Sequence, residues 1–277
     1  MKPSTNIPLA TCYCPIPLKR LARPAFDALS RKVMAHVFAS QNELGRLCDE
    51  AVYQRDIALR LQIAGLGPVV MEAPLSISLR DFTRIYRLDL VVQEAFIVEL
   101  KTAATLINEH YSQLLNYLLI VNLPHGKLIN LRPASVEYRT VNAVVSALER
   151  RRYHLVTERW KPQTPRCGLL LEILTELVTA WGAFLDCHLY EEALIHFLGG
   201  ENSVLQKVPL QRGGSSLGVQ TVPLVTDSVA FRLTALAPET SDNYEPQLRR
   251  FLALTPLAAL HWVNLHHHEI QLTTITR

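Results

Sequence analysis

Asp89, Glu99 and Lys101 lie in one short segment, RLDLVVQEAFIVELK (87–101), at a spacing that can do chemistry. The apolar runs on both sides of Gln93-Glu94-Ala95 predict a hairpin that turns near Glu94. With the turn there, Asp89 faces Glu99 across the ladder, their Cβ atoms about 5 Å apart. Strand alternation sends Lys101 to the Glu99 side, and Val98 and Leu100 to the core. Two opposed carboxylates repel one another. A divalent cation turns that repulsion into a binding site, and oxygen donors of this kind suit Mg²⁺ or Mn²⁺. Water on such a cation loses a proton more readily, and an adjacent ammonium can orient it or stabilise charge developing on a phosphate. The same alternation also fits a solvent-facing hairpin whose charges serve solubility alone.

Elements on either side of the hairpin supply further polar groups. Upstream, Gly45, Glu50 and Tyr53 fall in LGRLCDEAVY (44–53), with Glu50 and Tyr53 on one helical face at i, i+3. Downstream, Gln113 and Tyr117 in QLLNY (113–117) share a face at i, i+4. The order LGRLCDEAVY, RLD (87–89), VELK (98–101), QLLNY resembles the GxxExxY family, a set of proteins of the PD-(D/E)XK nuclease type. Leu47 stands where that family has the second Gly of Leu-Gly-x-Gly. The resemblance spans most of residues 27–140. It implies a metal-dependent nuclease with Glu50, Asp89 and Glu99 at Mg²⁺ (or Mn²⁺). Glu50, Asp89, Glu99 and Lys101 would be catalytic, and Tyr53, Arg87, Gln113 and Tyr117 would support the site or contact nucleic acid.

The order of elements in the first half recurs in the second. A helix ending near Gly65 leads to strands at 69–78, 83–92 and 96–101, a helix at 104–121, and strands at 127–131 and 135–140. The second half reads as helix 169–198, strands 204–210, 218–225 and 228–235, helix 243–254, and strands 258–265 and 269–275. Gly45 and Tyr53 match Gly182 and Tyr190 at an offset of 137, Ala73-Pro74-Leu75 matches Val208-Pro209-Leu210 at 135, and Gln113 matches Gln247 at 134. The expected fold is therefore α/β: two tandem restriction-endonuclease-like (PD-(D/E)XK) domains, each a mixed central sheet flanked by helices, packed as an intramolecular pseudo-dimer. The divisions are an N-terminal extension (1–24), a first domain (25–156), a linker (157–168) and a degenerate second domain (169–277). In the second domain Cys187 stands for Glu50, Pro223 or a neighbour for Asp89, Arg232 for Glu99, Thr234 for Lys101 and Phe251 for Tyr117. A cation at the Glu99 position opposes metal binding.

Bulk properties agree with a folded chain. The chain is 277 residues long, with 49% hydrophobic and 19% charged residues, which argues against disorder. Residues 1–166 hold 22 Lys and Arg against 14 Asp and Glu, a net of +8, whereas residues 167–277 hold 6 against 11, a net of −5. A basic half attracts polyanions, and together with the resemblance this makes nucleic acid (DNA before RNA) the expected partner. No bilayer helix or signal peptide is evident, which makes the cytoplasm the default. The five scattered cysteines lack the paired spacing of a zinc or iron–sulfur site and read as free thiols. Adjacent histidines in His266-His267-His268-Glu269 point to opposite faces, a poor chelate. A nucleic-acid-binding or assembly module with little or no turnover is the alternative to an active nuclease.

Overall fold

The computed structural model describes residues 11–277. They form two compact units. One holds the described residues up to Ser78 and Thr83–Ala147; the other holds Leu79–Phe82 and Leu148–Arg277.

In the first unit, β1 (Thr11–Tyr13) is followed by α1 (Arg23–Leu44), α2 (Glu50–Ile63), β2 (Val69–Leu79), β3 (Phe82–Val92), β4 (Phe96–Lys101), α3 (Asn108–Val121), β5 (His125–Asn130) and β6 (Glu137–Asn142). The strands form one sheet in the order β1-β2-β3-β4-β5-β6. β4 and β5 run parallel, joined through α3, while β3–β4 and β5–β6 are antiparallel. Pro24 opens α1, where a missing N–H costs nothing, and Gly45 closes it with φ of 73°. Phe26, Val33 and Val37 of α1 and Tyr53, Ile57 and Leu61 of α2 bury one face of the sheet with Leu90, Val92, Val98, Leu100 and Ile129. α3 covers the other face. A Cβ on Gly126 would lie 3.1 Å from the Leu114 side chain, so glycine allows the helix this close approach to β5.

The second unit contains α4 (Ala147–Arg150), β7 (His154–Arg159), α5 (Pro165–Trp181), α6 (Cys187–Phe197), α7 (Glu201–Val204), β8 (Leu205–Arg212), β9 (Ser215–Thr226), β10 (Val229–Thr234), α8 (Pro238–Ala253), β11 (Ala259–His266) and β12 (Glu269–Thr276). Its sheet runs β7-β12-β11-β10-β9-β8. The five strands β8–β12 repeat the order of β2–β6, and β10–β11 is again the parallel pair joined through a helix. The sixth strand differs: β1 extends the first sheet beside β2, whereas β7 extends the second beside β12. Leu248 and Leu252 of α8 pack with Ala230, Leu260, Trp262 and Ile275.

Three boundaries differ from those expected. The stretch 157–168 is not a bare linker, because it carries the end of β7 and the start of α5, and β7 pairs in parallel with β12. That long-range pairing supplies the order that the local sequence lacks. The single helix expected over 169–198 is two helices, α5 and α6, because Gly182 adopts a left-handed φ of 82° and ends α5. Residues 11–13 of the expected N-terminal extension join the first sheet through β1, Arg23 and Pro24 already belong to α1, and residues 1–10 lie outside the described residues.

Two polar contacts recur in both units. Tyr53 Oη donates to the Gly45 carbonyl at 2.6 Å, and Tyr190 Oη donates to the Gly182 carbonyl. Asn130, at the end of β5, accepts from Ala103 N–H at 3.0 Å and donates to Ala103 O at 2.8 Å. Asn264, in β11, does the same to Leu236 at 2.8 and 2.9 Å. Each contact satisfies backbone groups at a bend where the regular ladder cannot.

Candidate active site

The β3–β4 ladder pairs Val92 with Phe96, Val91 with Ile97 and Leu90 with Val98, the register expected for a turn at Glu94. At the next position Asp89 leaves the face-to-face arrangement. Its Oδ2 accepts from Leu100 N–H at 2.7 Å, taking the place of a backbone partner. Its own carbonyl accepts from Gln54 Nε2, 2.8 Å away on α2. Both the side chain and the main chain of Asp89 are therefore fixed.

Glu99 turns toward the α3 side of the sheet. β4 is buried on both faces and Glu99 is 1% exposed, which rules out the solvent-facing hairpin. Its Oε1 accepts from Lys101 Nζ at 2.6 Å, while Oε2 is buried without a hydrogen-bond partner. An orphaned carboxylate oxygen in a low-dielectric interior is costly. Burial, followed by the charge of Asp89, raises the Glu99 pKa well above the ordinary carboxylate range. Burial likewise raises Asp89, against the Leu100 N–H and Lys101, which favour its charged form. Burial alone would lower the Lys101 pKa, but the Glu99 carboxylate outweighs it and keeps the ammonium charged.

The other expected residues divide into two groups. Glu50, half-buried in the first turn of α2, acts electrostatically on Asp89, Glu99 and Lys101. Gln113 Nε2 donates to Tyr117 Oη at 2.8 Å, and burial pushes the Tyr117 phenol up to about 12, with Glu99 and Asp89 adding to the shift. These residues gather around the carboxylate pair. Tyr53 is 0% exposed and is engaged at Gly45, so it braces the α1–α2 corner. Arg87 is exposed on β3, two residues before Asp89.

Several residues outside the sequence motifs also belong to the site. Gln54 could have been found from its i, i+4 spacing to Glu50, which places both on one helical face. Glu72 on β2, held by Gln54 at 2.7 Å and acting on Asp89, has no such signature. Arg132 donates to the carbonyls of Arg46 at 2.6 Å and Thr102 at 3.3 Å, tying the loop before Glu50 to the end of β4. Tyr86 packs its ring 5.3 Å from that of Tyr117.

The donor set suits a hard divalent cation: two converging carboxylates, one with an unpartnered oxygen. Among the described residues no group of three His, Cys, Asp or Glu could hold a metal ion, so Glu50 does not complete a three-carboxylate cage with Asp89 and Glu99. The expected three-residue ligand set is therefore not assembled. Two carboxylates are enough for Mg²⁺, which keeps much of its water.

In the second unit Arg232 and Thr234 occupy the places of Glu99 and Lys101 on β10. Arg232 is exposed, and its charge acts on Cys187, the first residue of α6. Thr234 Oγ1 donates to Asn264 Oδ1 at 2.8 Å and accepts from Trp262 Nε1 at 2.8 Å.

Residues 27–141 match the family model of the PD-(D/E)XK nuclease superfamily. The matched segment contains Glu50, Asp89, Glu99, Lys101, Gln113 and Tyr117. No curated protein and no solved structure was found to match the chain. No helix among the described residues is long and apolar enough to cross a membrane.

Proposed function

We propose that the first unit is a Mg²⁺- or Mn²⁺-dependent nuclease that hydrolyses phosphodiester bonds of DNA, with RNA the less favoured substrate. The observation that carries this reading is the buried, unpartnered Oε2 of Glu99 beside Asp89 and Lys101, inside the segment that matches a nuclease superfamily. Asp89 and Glu99 would hold the cation, and Glu50 adds negative potential from the start of α2. When bound, the cation supplies an acidified water and polarises the scissile phosphate. Lys101 offers an ammonium that can orient the attacking water or neutralise charge developing on the phosphate oxygens. The bond from Gln113 fixes the Tyr117 hydroxyl beside these groups, and Arg87 is free to meet the nucleic-acid backbone.

We further read the two units as copies of one duplicated fold, the first akin to GxxExxY proteins and the second without a site. The shared strand order, the Tyr–Gly bond and the Asn clasp support the duplication. Pro223, Arg232 and Thr234 cannot replace the carboxylates and lysine. The experiment is a Mg²⁺/Mn²⁺ cleavage screen on single-stranded, double-stranded and branched DNA and on RNA. Cleavage that disappears in Glu99→Ala and Lys101→Ala supports the assignment. Absence of cleavage on every substrate, or equal cleavage by Glu99→Ala, refutes it.

A second reading, a nucleic-acid-binding module without turnover, is favoured by the absence of a three-ligand group among the described residues and by the Lys101 ammonium closed onto Glu99. It predicts nucleic-acid retention that is indifferent to Mn²⁺ and to Asp89→Ala.

A further inference from the structure

Glu72 is the unusual residue of β2. It has a left-handed φ of 51° inside an 11-residue strand, a conformation that disfavours every side chain with a Cβ. Its carboxylate is not idle. Gln54, 7% exposed, divides the two hydrogens of its amide nitrogen between Glu72 Oε1 at 2.7 Å and the Asp89 carbonyl at 2.8 Å. The Asp89 carboxylate, for its part, takes the place of a backbone partner at Leu100 N–H on β4. Without Gln54, the Asp89 carbonyl would lose this donor.

The second unit offers a control within the same chain. At the offsets that align the two halves, Glu191 stands for Gln54 and Lys207 for Glu72. Neither can reproduce the amide fork, and the position of Asp89 falls at or beside Pro223, where Val222, Pro223 and Leu224 offer no carboxylate. The Tyr–Gly bond and the Asn clasp are present in both units, so contacts required by the fold alone are kept in both. The Gln54 fork exists only beside a carboxylate pair.

We infer that Gln54 and Glu72 are positioning residues for Asp89: Glu72 orients the Gln54 amide, and Gln54 fixes the main chain from which the Asp89 carboxylate reaches a divalent cation. The inference rests on the proposed cation site at Asp89 and Glu99. Backbone strain at Glu72 is the cost of placing its carboxylate there. Outer residues that orient a ligand typically change metal affinity about 10–100-fold when lost.

The test is Mn²⁺ titration by calorimetry on the full chain, combined with thermal unfolding without metal. Glu72→Gly removes the strained φ and the carboxylate together, so the melting temperature should rise by about 2–4 °C while Mn²⁺ affinity falls about tenfold. A merely structural residue would not move these two readouts in opposite directions. Gln54→Leu keeps the volume without donors and should weaken Mn²⁺ by a similar factor. Glu72→Gln keeps an acceptor for Gln54 and should hold affinity within about threefold of the parent. Unchanged affinity in Glu72→Gly and Gln54→Leu overturns the inference while leaving the cation site intact. An equal loss in Glu72→Gln and Glu72→Gly also overturns it, since the carboxylate would then act by charge rather than by position. A parent chain that binds no Mn²⁺ overturns both the site and the inference.

Discussion

The first and second units use the same polar contacts to build their folds and different side chains at the place where chemistry could occur. Tyr53 and Tyr190 each close a helix–helix corner on a left-handed glycine, and Asn130 and Asn264 each clasp the segment that leaves the central parallel strand. Where the first unit places Glu99 and Lys101 the second has Arg232 and Thr234, and Thr234 is absorbed into a bonded group with Trp262 and Asn264. A buried carboxylate pair with an orphaned oxygen burdens the fold, and the second unit folds without one. The comparison separates residues that make this architecture from residues for which the architecture tolerates strain.

The largest expected effect is on cleavage. Glu99→Gln should lower the metal-dependent rate by about 10²–10³-fold or more, measured on whichever DNA substrate the parent cuts, and the parent rate persisting would break the comparison. The same substitution should stabilise the metal-free chain. A carboxyl whose folded pKa lies above its unfolded value of about 4.3 favours the folded state while protonated. That contribution is complete below the unfolded pKa and is lost as pH rises through the raised value. Glu99→Gln should therefore raise the melting temperature more at pH 8 than at pH 5, and a gain that is equal or reversed would show that Glu99 is not held above its ordinary range.

Next come the shared contacts. Tyr53→Phe and Tyr190→Phe each leave a glycine carbonyl without its donor and should cost about 1 kcal/mol in urea unfolding. Tyr190→Phe should leave cleavage unchanged; a loss of activity there would assign the second unit a part in catalysis. The smallest effect is expected at Arg232, whose exposure limits Arg232→Ala to about 0.5 kcal/mol in either direction. Mn²⁺ affinity should not change either, and any tightening would reveal a cation site that Arg232 suppresses.

Much of the fold was legible in sequence because apolar alternation fixes a strand's face and a turn fixes its register. The hairpin centred on Glu94 places Leu90 opposite Val98 as alternation requires. The matching offsets around Gly45–Tyr53 and Gly182–Tyr190 mark positions that form the same hydrogen bond. Legibility ended where long-range partners decide. Nothing local announces that HLVTER (154–159) pairs with β12, or that Asp89 abandons its ladder for Leu100 N–H. Glu99 reads as the charged face of a hairpin until α3 covers it. Gln54 and Glu72 meet only because α2 packs across β2 and β3, and a left-handed glutamate has no sequence signature.

The most direct measurement is Mn²⁺ binding to the full chain by calorimetry, repeated for Asp89→Ala and Arg232→Ala. Binding should come to one site per chain and should release protons, because both carboxyls are held above their ordinary range. It should disappear in Asp89→Ala and persist unchanged in Arg232→Ala. Binding that survives Asp89→Ala, or a parent chain that takes up no Mn²⁺, would contradict the account at its centre.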